Sequence, residues 1–356
     1  MYSALGTLFS YCRLEIGATV KKSTKAILAV SGVAAGAVAA GAGLEMWSRT
    51  KFGRSGAATL AEGVVRVSGV RRNMLGRDLG RYDDYVEKQR EINEKEYHLP
   101  GWMGMKSVVF EETRDGMKTF HVGTTGKNEH AVLYLHGVAH IHQISPFHWQ
   151  FIDKLCEMTG AEIVVPIYPL APAHDYDEAY SLLTDLYEGM CNRYGADAIT
   201  IMGDSTGGGL AAGLAETFDH YKLEQPANLV LLSPVVDLSM RNPDVHDFFD
   251  RDPMIAPWGL AQIGDLWADG DDICDPRLSP IYGDVSVLRN VTVFAGTREI
   301  FYPDCVKFIE KLKDAGVKCD LVVGQGMNHV WPLYPIPEAK DALEQIASIV
   351  TSKVRA

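Results

Sequence analysis

The segment ITIMGDSTGGGLAAGL places Ser205 between Gly203-Asp204 and Thr206-Gly207, where an apolar strand pattern gives way to a helix rich in small residues. A serine on so sharp a strand-to-helix turn has its hydroxyl exposed at the mouth of a sheet. Glycines are needed at both flanks because a side chain there would collide with the backbone. Gly-x-Ser-x-Gly alone is a common accident in a glycine-rich chain, and it is the strand-turn-helix setting that gives it weight. Ser205 is expected to be a nucleophile, with Gly203, Asp204 and Gly207 forming its elbow.

A hydroxyl attacks poorly until a base takes its proton, and the base needs an acid to orient it and to stabilise the imidazolium. Downstream of such an elbow the order should be acid, then histidine. His329, in GQGMNHVWPLYP, follows the apolar stretch CDLVVG, from which a loop would bring it back over Ser205. Two carboxylates follow the preceding strand in VTVFAGTREIFYPD. Glu299, nearer the strand end, is the expected acid. Asp304 reads as an exposed residue early in the next helix, where a carboxylate suits the positive end of the dipole. Charge developing on a carbonyl oxygen also needs preorganised donors. The expected oxyanion hole consists of the amide of Thr206 and those of Gly137, Val138 and Ala139, in the loop after AVLYLH.

His136, His140, His142 and His148 crowd one stretch, and their spacing would admit zinc. No carboxylate or cysteine accompanies them as zinc signatures require, so no metal is expected. The six cysteines, Cys12, Cys156, Cys191, Cys274, Cys305 and Cys319, form no CxxC pair and read as reduced thiols.

These groups need a scaffold. From residue 131 onward short apolar runs, AVLYLH, EIVVPI, AITIMG, NLVLLSP, VTVFAG and CDLVVG, alternate with helical stretches near 147 to 159, 176 to 194, 206 to 218, 302 to 315 and 338 to 353. That alternation predicts a mostly parallel sheet covered on both faces, with functional groups at the carboxyl ends of its strands. Before it, KSVVFEET and MKTFHVG flank the turn signal RDG and predict an antiparallel hairpin. The polar stretch at 83 to 100 predicts a surface or cap helix closed by Pro100 and Gly101.

Composition is that of a globular chain of 356 residues, 47% hydrophobic and 22% charged. A formal net charge of -12 argues against a nucleic-acid partner. Of 34 basic and 46 acidic side chains, seven and two lie in residues 1 to 55, which leaves 27 against 44 in the body. The N-terminal end is thus a separate segment. Within it, residues 26–44 run 19 positions without a charge, long enough for a single membrane helix. Membrane attachment is the expectation, beside a helix packed on the body or a cleaved leader. Lysines precede the run and basic residues follow it, so the side faced by the body is undetermined. Without an anchor the chain would be cytoplasmic.

In order along the chain, LYLHGVAH, IYPLAPAHDYDEAY, GDSTGGG, LLSPVVDL, DPRLSPIYGD, GTREIFYPD and GMNHVW resemble the landmarks of the hormone-sensitive-lipase-like family of α/β-hydrolases, which carries an HGGG motif. The resemblance spans residues from about 105 to 350. It implies an α/β fold of the α/β-hydrolase type, a mostly parallel central sheet with helices on both faces and an N-terminal helical cap. It further implies cleavage of small-molecule carboxylic esters through an acyl-enzyme, with no metal or cofactor. The matching organisation is 1–48 as basic segment and apolar helix, 49–104 as cap or linker, and 105–356 as catalytic domain. Four positions depart from the pattern. Val138 and Ala139 replace glycines, Thr206 replaces alanine, and Glu299 replaces aspartate. A Cβ at Val138 restricts the backbone, whereas glutamate is an accepted acid in this fold. The same triad would serve a lipid- or amide-directed hydrolase, since a fold does not choose its substrate. A catalytically silent, membrane-tethered binding protein is the reading from another class.

Overall fold

A computed structural model describes residues 40–68, 70–73 and 79–352. Its centre is one eight-stranded sheet: β1 (Val109–Arg114), β2 (Met117–Val122), β3 (Ala131–Leu135), β4 (Glu162–Pro166), β5 (Ile199–Asp204), β6 (Asn228–Leu232), β7 (Val291–Gly296) and β8 (Cys319–Gly324). The spatial order is β1-β2-β4-β3-β5-β6-β7-β8. Strand β2 runs antiparallel to both β1 and β4, and the other pairings are parallel. β3, β4, β5, β6 and β7 are buried along their full length, which is why they read as unbroken apolar runs.

Side chains alternate between two cores. Leu133 and Leu135 of β3 face one core, and Val132 and Tyr134 face the other. Five helices cover the sheet where the sequence placed them: α4 (Pro146–Thr159), α5 (Tyr176–Tyr194), α6 (Ser205–Tyr221), α8 (Tyr302–Asp314) and α9 (Pro337–Thr351). A further helix, α7 (Pro257–Ala268), was not foreseen. Its glycine-containing sequence PWGLAQIGDLWA carries no charge until Asp265, so its pattern is that of a buried loop as much as a helix.

Between residues 40 and 93 the described residues are largely helical: α1 over 40–52, α2 (Gly56–Ser68), one turn at Val70–Asn73 and α3 (Leu79–Asn93). Helix α1 runs through position 48 without a break. The helix expected over 83–100 starts earlier and stops at Asn93. The Asn93 side chain donates to the carbonyls of Ile141 and Ala171, which draws the chain end onto the body well before Pro100. Most of the uncharged run at 26–44 lies outside the described residues. Among the described residues no helix is long and apolar enough to cross a membrane. Five of the six cysteines are described, and they are free thiols.

One buried carboxyl has a measurable consequence for stability. Both oxygens of Glu216, on α6, are enclosed without a hydrogen-bond partner, and burial pushes its pKa up to about 9. A carboxyl raised in this way supports the fold while protonated and loses that support as pH rises through the folded value. Between about pH 5 and about pH 9 the melting temperature of the native protein should therefore fall more steeply than that of Glu216→Gln. Parallel curves would show that Glu216 is ionised in the folded state.

Candidate active site

β5 ends at Asp204 and α6 begins at Ser205 with no intervening loop. Ser205 consequently takes φ +53°, a left-handed conformation that costs a non-glycine residue about 1–2 kcal/mol. The turn is possible only because its neighbours lack side chains. A Cβ on Gly203 would stand 2.2 Å from the carbonyl oxygen of Gly207, and one on Gly207 would stand 2.2 Å from that of Leu135.

Around this serine the structure gathers residues far apart in sequence. Ser205 Oγ donates to His329 Nε2 at 2.8 Å, and His329 Nδ1 donates to Glu299 Oε2 at 2.6 Å. The second oxygen of Glu299 accepts the amide of Gly296 at 2.6 Å, which fixes the carboxylate from behind. All three residues are buried, with Ser205 at 7% exposure the most accessible. Burial works to lower the pKa of His329, but the hydrogen bond and charge of Glu299, with Asp252 and Asp204 further off, outweigh it and hold the imidazole above its ordinary value.

Asp304 lies elsewhere. It does start α8, but it is buried rather than exposed, at 2%. Its Oδ1 accepts from Asn242 at 2.6 Å, and burial pushes its pKa up to about 6. The apolar side of the first turn of α8 faces the core, a distinction that the dipole argument ignores.

The loop after β3 carries the other expected donors. Val138, Ala139 and His140 have φ of +78°, +63° and +56°. Val138 and Ala139 thus adopt the backbone that glycines would take, and the loop keeps its shape at a cost in strain. Gly137 fits its position for a different reason. Its amide donates to Asp204 Oδ1 at 3.1 Å and its carbonyl accepts from His136 Nδ1 at 2.9 Å, so of the loop amides it is already engaged. Among the described residues the amides of Val138 and Ala139 have no backbone hydrogen-bond acceptor, and that of Thr206 lies in the first turn of α6, where helix amides lack intrahelical partners.

Three residues have supporting roles that sequence reasoning did not assign to them. Asp204 carries a buried carboxylate that accepts from Tyr134 Oη at 2.8 Å, from the Gly137 amide and from His148 Nε2 at 3.1 Å. Burial disfavours its ionised form, yet His148 and Tyr134 outweigh that and hold its pKa below the usual range. His148 also caps α4 through Ser145, so the motif Ser-Pro-Phe-His could have been read as a helix start with an unusual third residue. Asp252 is the third. It is fully buried and accepts the amides of Met254, Ile255 and Ile300 at 2.7, 2.8 and 3.0 Å.

The four clustered histidines diverge. Burial drives His136 down to about 4 and His140 down to about 3, the latter stacked on Trp267 with ring centroids 4.5 Å apart. His142 pairs with Tyr85 of α3 at 2.7 Å. Among the described residues no set of His, Cys, Asp or Glu is arranged to hold a metal ion.

Residues 132–333 match a family model described as alpha/beta hydrolase fold. An esterase of Acinetobacter venetianus is 30% identical over 225 residues, which are 62% of this chain and 74% of that protein. The crystal structure of a Staphylococcus aureus protein, described as a candidate esterase, superposes with a TM-score of 0.77 at 28% identity, covering 80% of this chain and 97% of that one. A hormone-sensitive-lipase homologue from a metagenome library superposes with a TM-score of 0.70 at 24% identity, covering 84% and 99%, and shares the fold.

Gly137 provides a local test of this geometry. A Cβ there would lie 2.5 Å from the Asp204 carbonyl oxygen, 2.6 Å from Asp204 Oδ2 and 2.8 Å from Ser205 Cβ. Backbone must move to admit it. Gly137→Ala should fold yet lower ester turnover by roughly a hundredfold, the scale of loss for a misplacement of about 1 Å. Near-normal steady-state turnover in that variant would mean that the loop does not set the site.

Proposed function

The chain belongs to the α/β-hydrolase family, and from that premise we propose that it is of the hormone-sensitive-lipase-like kind and cleaves carboxylic esters through an acyl-serine intermediate on Ser205. Its relatives support an ester-cleaving hydrolase of the carboxylesterase and lipase kind, acting on small-molecule esters or lipids. The observation that carries the finer reading is the unbroken hydrogen-bonded chain from Glu299 through His329 to Ser205, with links of 2.6 and 2.8 Å. Residues 105–356 would form the catalytic domain, with helices from 49–104 laid over it as cap.

The proposed reaction follows from who can donate and who can accept. Ser205 Oγ attacks the ester carbonyl carbon while its proton passes to His329 Nε2. The carbonyl oxygen becomes an oxyanion, and the amides of Thr206, Val138 and Ala139 are the donors available to it. His329, now an imidazolium, is stabilised by Glu299, which stays ionised. Collapse of the tetrahedral species breaks the bond to the alcohol, which leaves with the proton from His329. Water then attacks the acyl-serine and gives a proton to His329. As the carboxylic acid departs, that proton returns to Ser205 Oγ. The left-handed backbone that Val138 and Ala139 adopt supports retention of an oxyanion hole despite the missing glycines, and this weighs against a silent binding protein.

Steady-state hydrolysis of short p-nitrophenyl esters tests the proposal. Ser205→Ala and His329→Ala should each remove nearly all activity, and the double variant should be no worse, because members of a triad act as a unit. Since His329 must be neutral to act and Glu299 raises its pKa, kcat/KM should fall on the acid side with an inflection above roughly 6.5. Glu299→Gln should cut turnover by orders of magnitude and move that inflection down, whereas Asp304→Asn should leave both nearly unchanged. Additive losses, or Asp304 proving the more damaging site, would overturn the assignment.

A further inference from the structure

The acid and the histidine sit on separate loops, after β7 and after β8, and both loops reach back to the N-terminal helices. Glu62, on α2, is buried at 4% exposure. Its carboxylate meets Arg54 Nη1 at 2.5 Å and takes a two-pronged contact from Arg298, with Nε and Nη2 each at 3.0 Å. Arg66 adds a third partner at 2.8 Å. Arg298 immediately precedes Glu299. Arg54 in turn donates to the carbonyl of Gly326 at 2.7 Å, in the loop that leads to His329. Both guanidinium groups lie 4.8 Å from the ring of Phe52. Phe52 itself crowds Gly326, where a Cβ would stand 2.1 Å from the Phe52 carbonyl oxygen.

The two loops are also joined to each other. Arg298 N donates to Met327 O at 2.9 Å, and Gly326 N donates to Thr297 Oγ1 at 2.8 Å. On the far side of Glu299, the amide of Ile300 is held by Asp252. The backbone around Asp252 is tethered to the same helical segment, by Arg66 to the Arg251 carbonyl at 2.8 Å and by Arg71 to the Asp252 carbonyl at 3.0 Å. Glu299 is therefore fixed from both neighbours, residues 298 and 300, and each grip leads back to residues 54–71.

We propose that Glu62 is a positioning residue for ester hydrolysis, holding Arg298 and Arg54 so that the Glu299 loop and the His329 loop keep the register their hydrogen bond needs. This rests on the reading of Ser205, His329 and Glu299 as a triad. Glu62 touches none of the reacting atoms and acts through the loops alone. Burial opposes its charge, but Arg298 and Arg54 outweigh that and bring its pKa to about 2, so the clamp stays ionised throughout the working range of a histidine base. The charged and titratable groups facing it are Arg54, Arg66, Arg298 and, more distantly, Tyr334. Those acting on His329 are Glu299, Asp252 and Asp204. A two-pronged contact between a guanidinium and a carboxylate fixes orientation as well as distance, which a single ammonium cannot do.

The test uses the full chain and measures kcat, KM and the pH profile with a short p-nitrophenyl ester, together with thermal unfolding. Arg298→Met removes the grip on the acid loop while leaving Glu62 paired with Arg54 and Arg66, so it decides the question even if Glu62→Ala does not fold. The expected result for Arg298→Met is a kcat lower by roughly ten- to a hundredfold, KM within about twofold, and an acid-side inflection moved down. Arg298→Lys should recover part of the loss. In a Glu299→Gln background the further effect of Arg298→Met should vanish, because the grip has nothing left to position. A folded Arg298→Met with unchanged kcat and pH profile, beside a damaged Glu299→Gln, would overturn the positioning role while leaving the triad intact. An equal loss in the Glu299→Gln background would also overturn it. Full turnover in Glu299→Gln itself would instead overturn the triad.

Discussion

The constraint on which the site depends is the contact between two backbones where β5 turns into α6. The turn presses so close to the end of β3 that a Cβ at position 207 would stand 2.2 and 2.4 Å from the carbonyl oxygens of Leu135 and His136. Nothing flexible lines that contact, so no side chain could yield to make room. Ser205 is thereby forced to φ +53°, and the loop that follows β3 is carried directly beside it. Both the placement of the hydroxyl against His329 and the nearness of the β3 loop at Gly137 descend from this one approach. The strain is of order 1–3 kcal/mol for each non-glycine residue held with φ above zero. The surrounding sheet, with its central strands buried on both faces, is what can sustain it.

Electrostatics then divides the labour among buried carboxylates. Asp204, Glu299, Asp252 and Glu62 are all removed from water, yet each has a different set of donors. Asp204 is served by Tyr134, the Gly137 amide and His148, and so locks the loop beside Ser205. Asp252 accepts three backbone amides and shapes the approach to Ile300. Glu62 takes arginines and joins loops. Glu299 and Asp204 each face an imidazole that in turn meets a hydroxyl, but His329 meets Ser205 at the strand-to-helix elbow, whereas His148 meets Ser145 at the cap of α4. An unpaired buried charge would cost several kcal/mol, so the identity of its partners, rather than the bare presence of a carboxylate, separates a structural acid from one poised for chemistry.

Much of this was legible in the sequence because periodicity and glycine spacing are local properties. The alternation of apolar runs and helical stretches gave β7 and β8 with their observed ends, and the elbow glycines marked Ser205. Choosing Glu299 over Asp304 followed from distance to the strand end. The exposure assigned to Asp304 did not survive, because which side of α8 faces the core is decided by packing that no short window encodes. Asp204 was noted only as an elbow residue, since its partners Tyr134, Gly137 and His148 lie 56 to 70 positions away. The clamp at Glu62 was invisible for the same reason, with Arg298 236 positions downstream. Helix α3 ended earlier than its polar pattern implied, because Asn93 finds its hydrogen-bond partners on the loop near Ile141 and beside Pro172 rather than in its own continuation.

The central claim is that Ser205 is activated by His329 and Glu299 in the resting protein. Mass-spectrometric mapping of a fluorophosphonate adduct addresses it most directly, because the probe reacts only with an activated hydroxyl and needs no knowledge of the natural substrate. The account predicts a single adduct on the peptide containing Ser205, absent from Ser205→Ala and formed orders of magnitude more slowly in His329→Ala. An unlabelled folded protein, or an adduct on another residue that persists in Ser205→Ala, would contradict it.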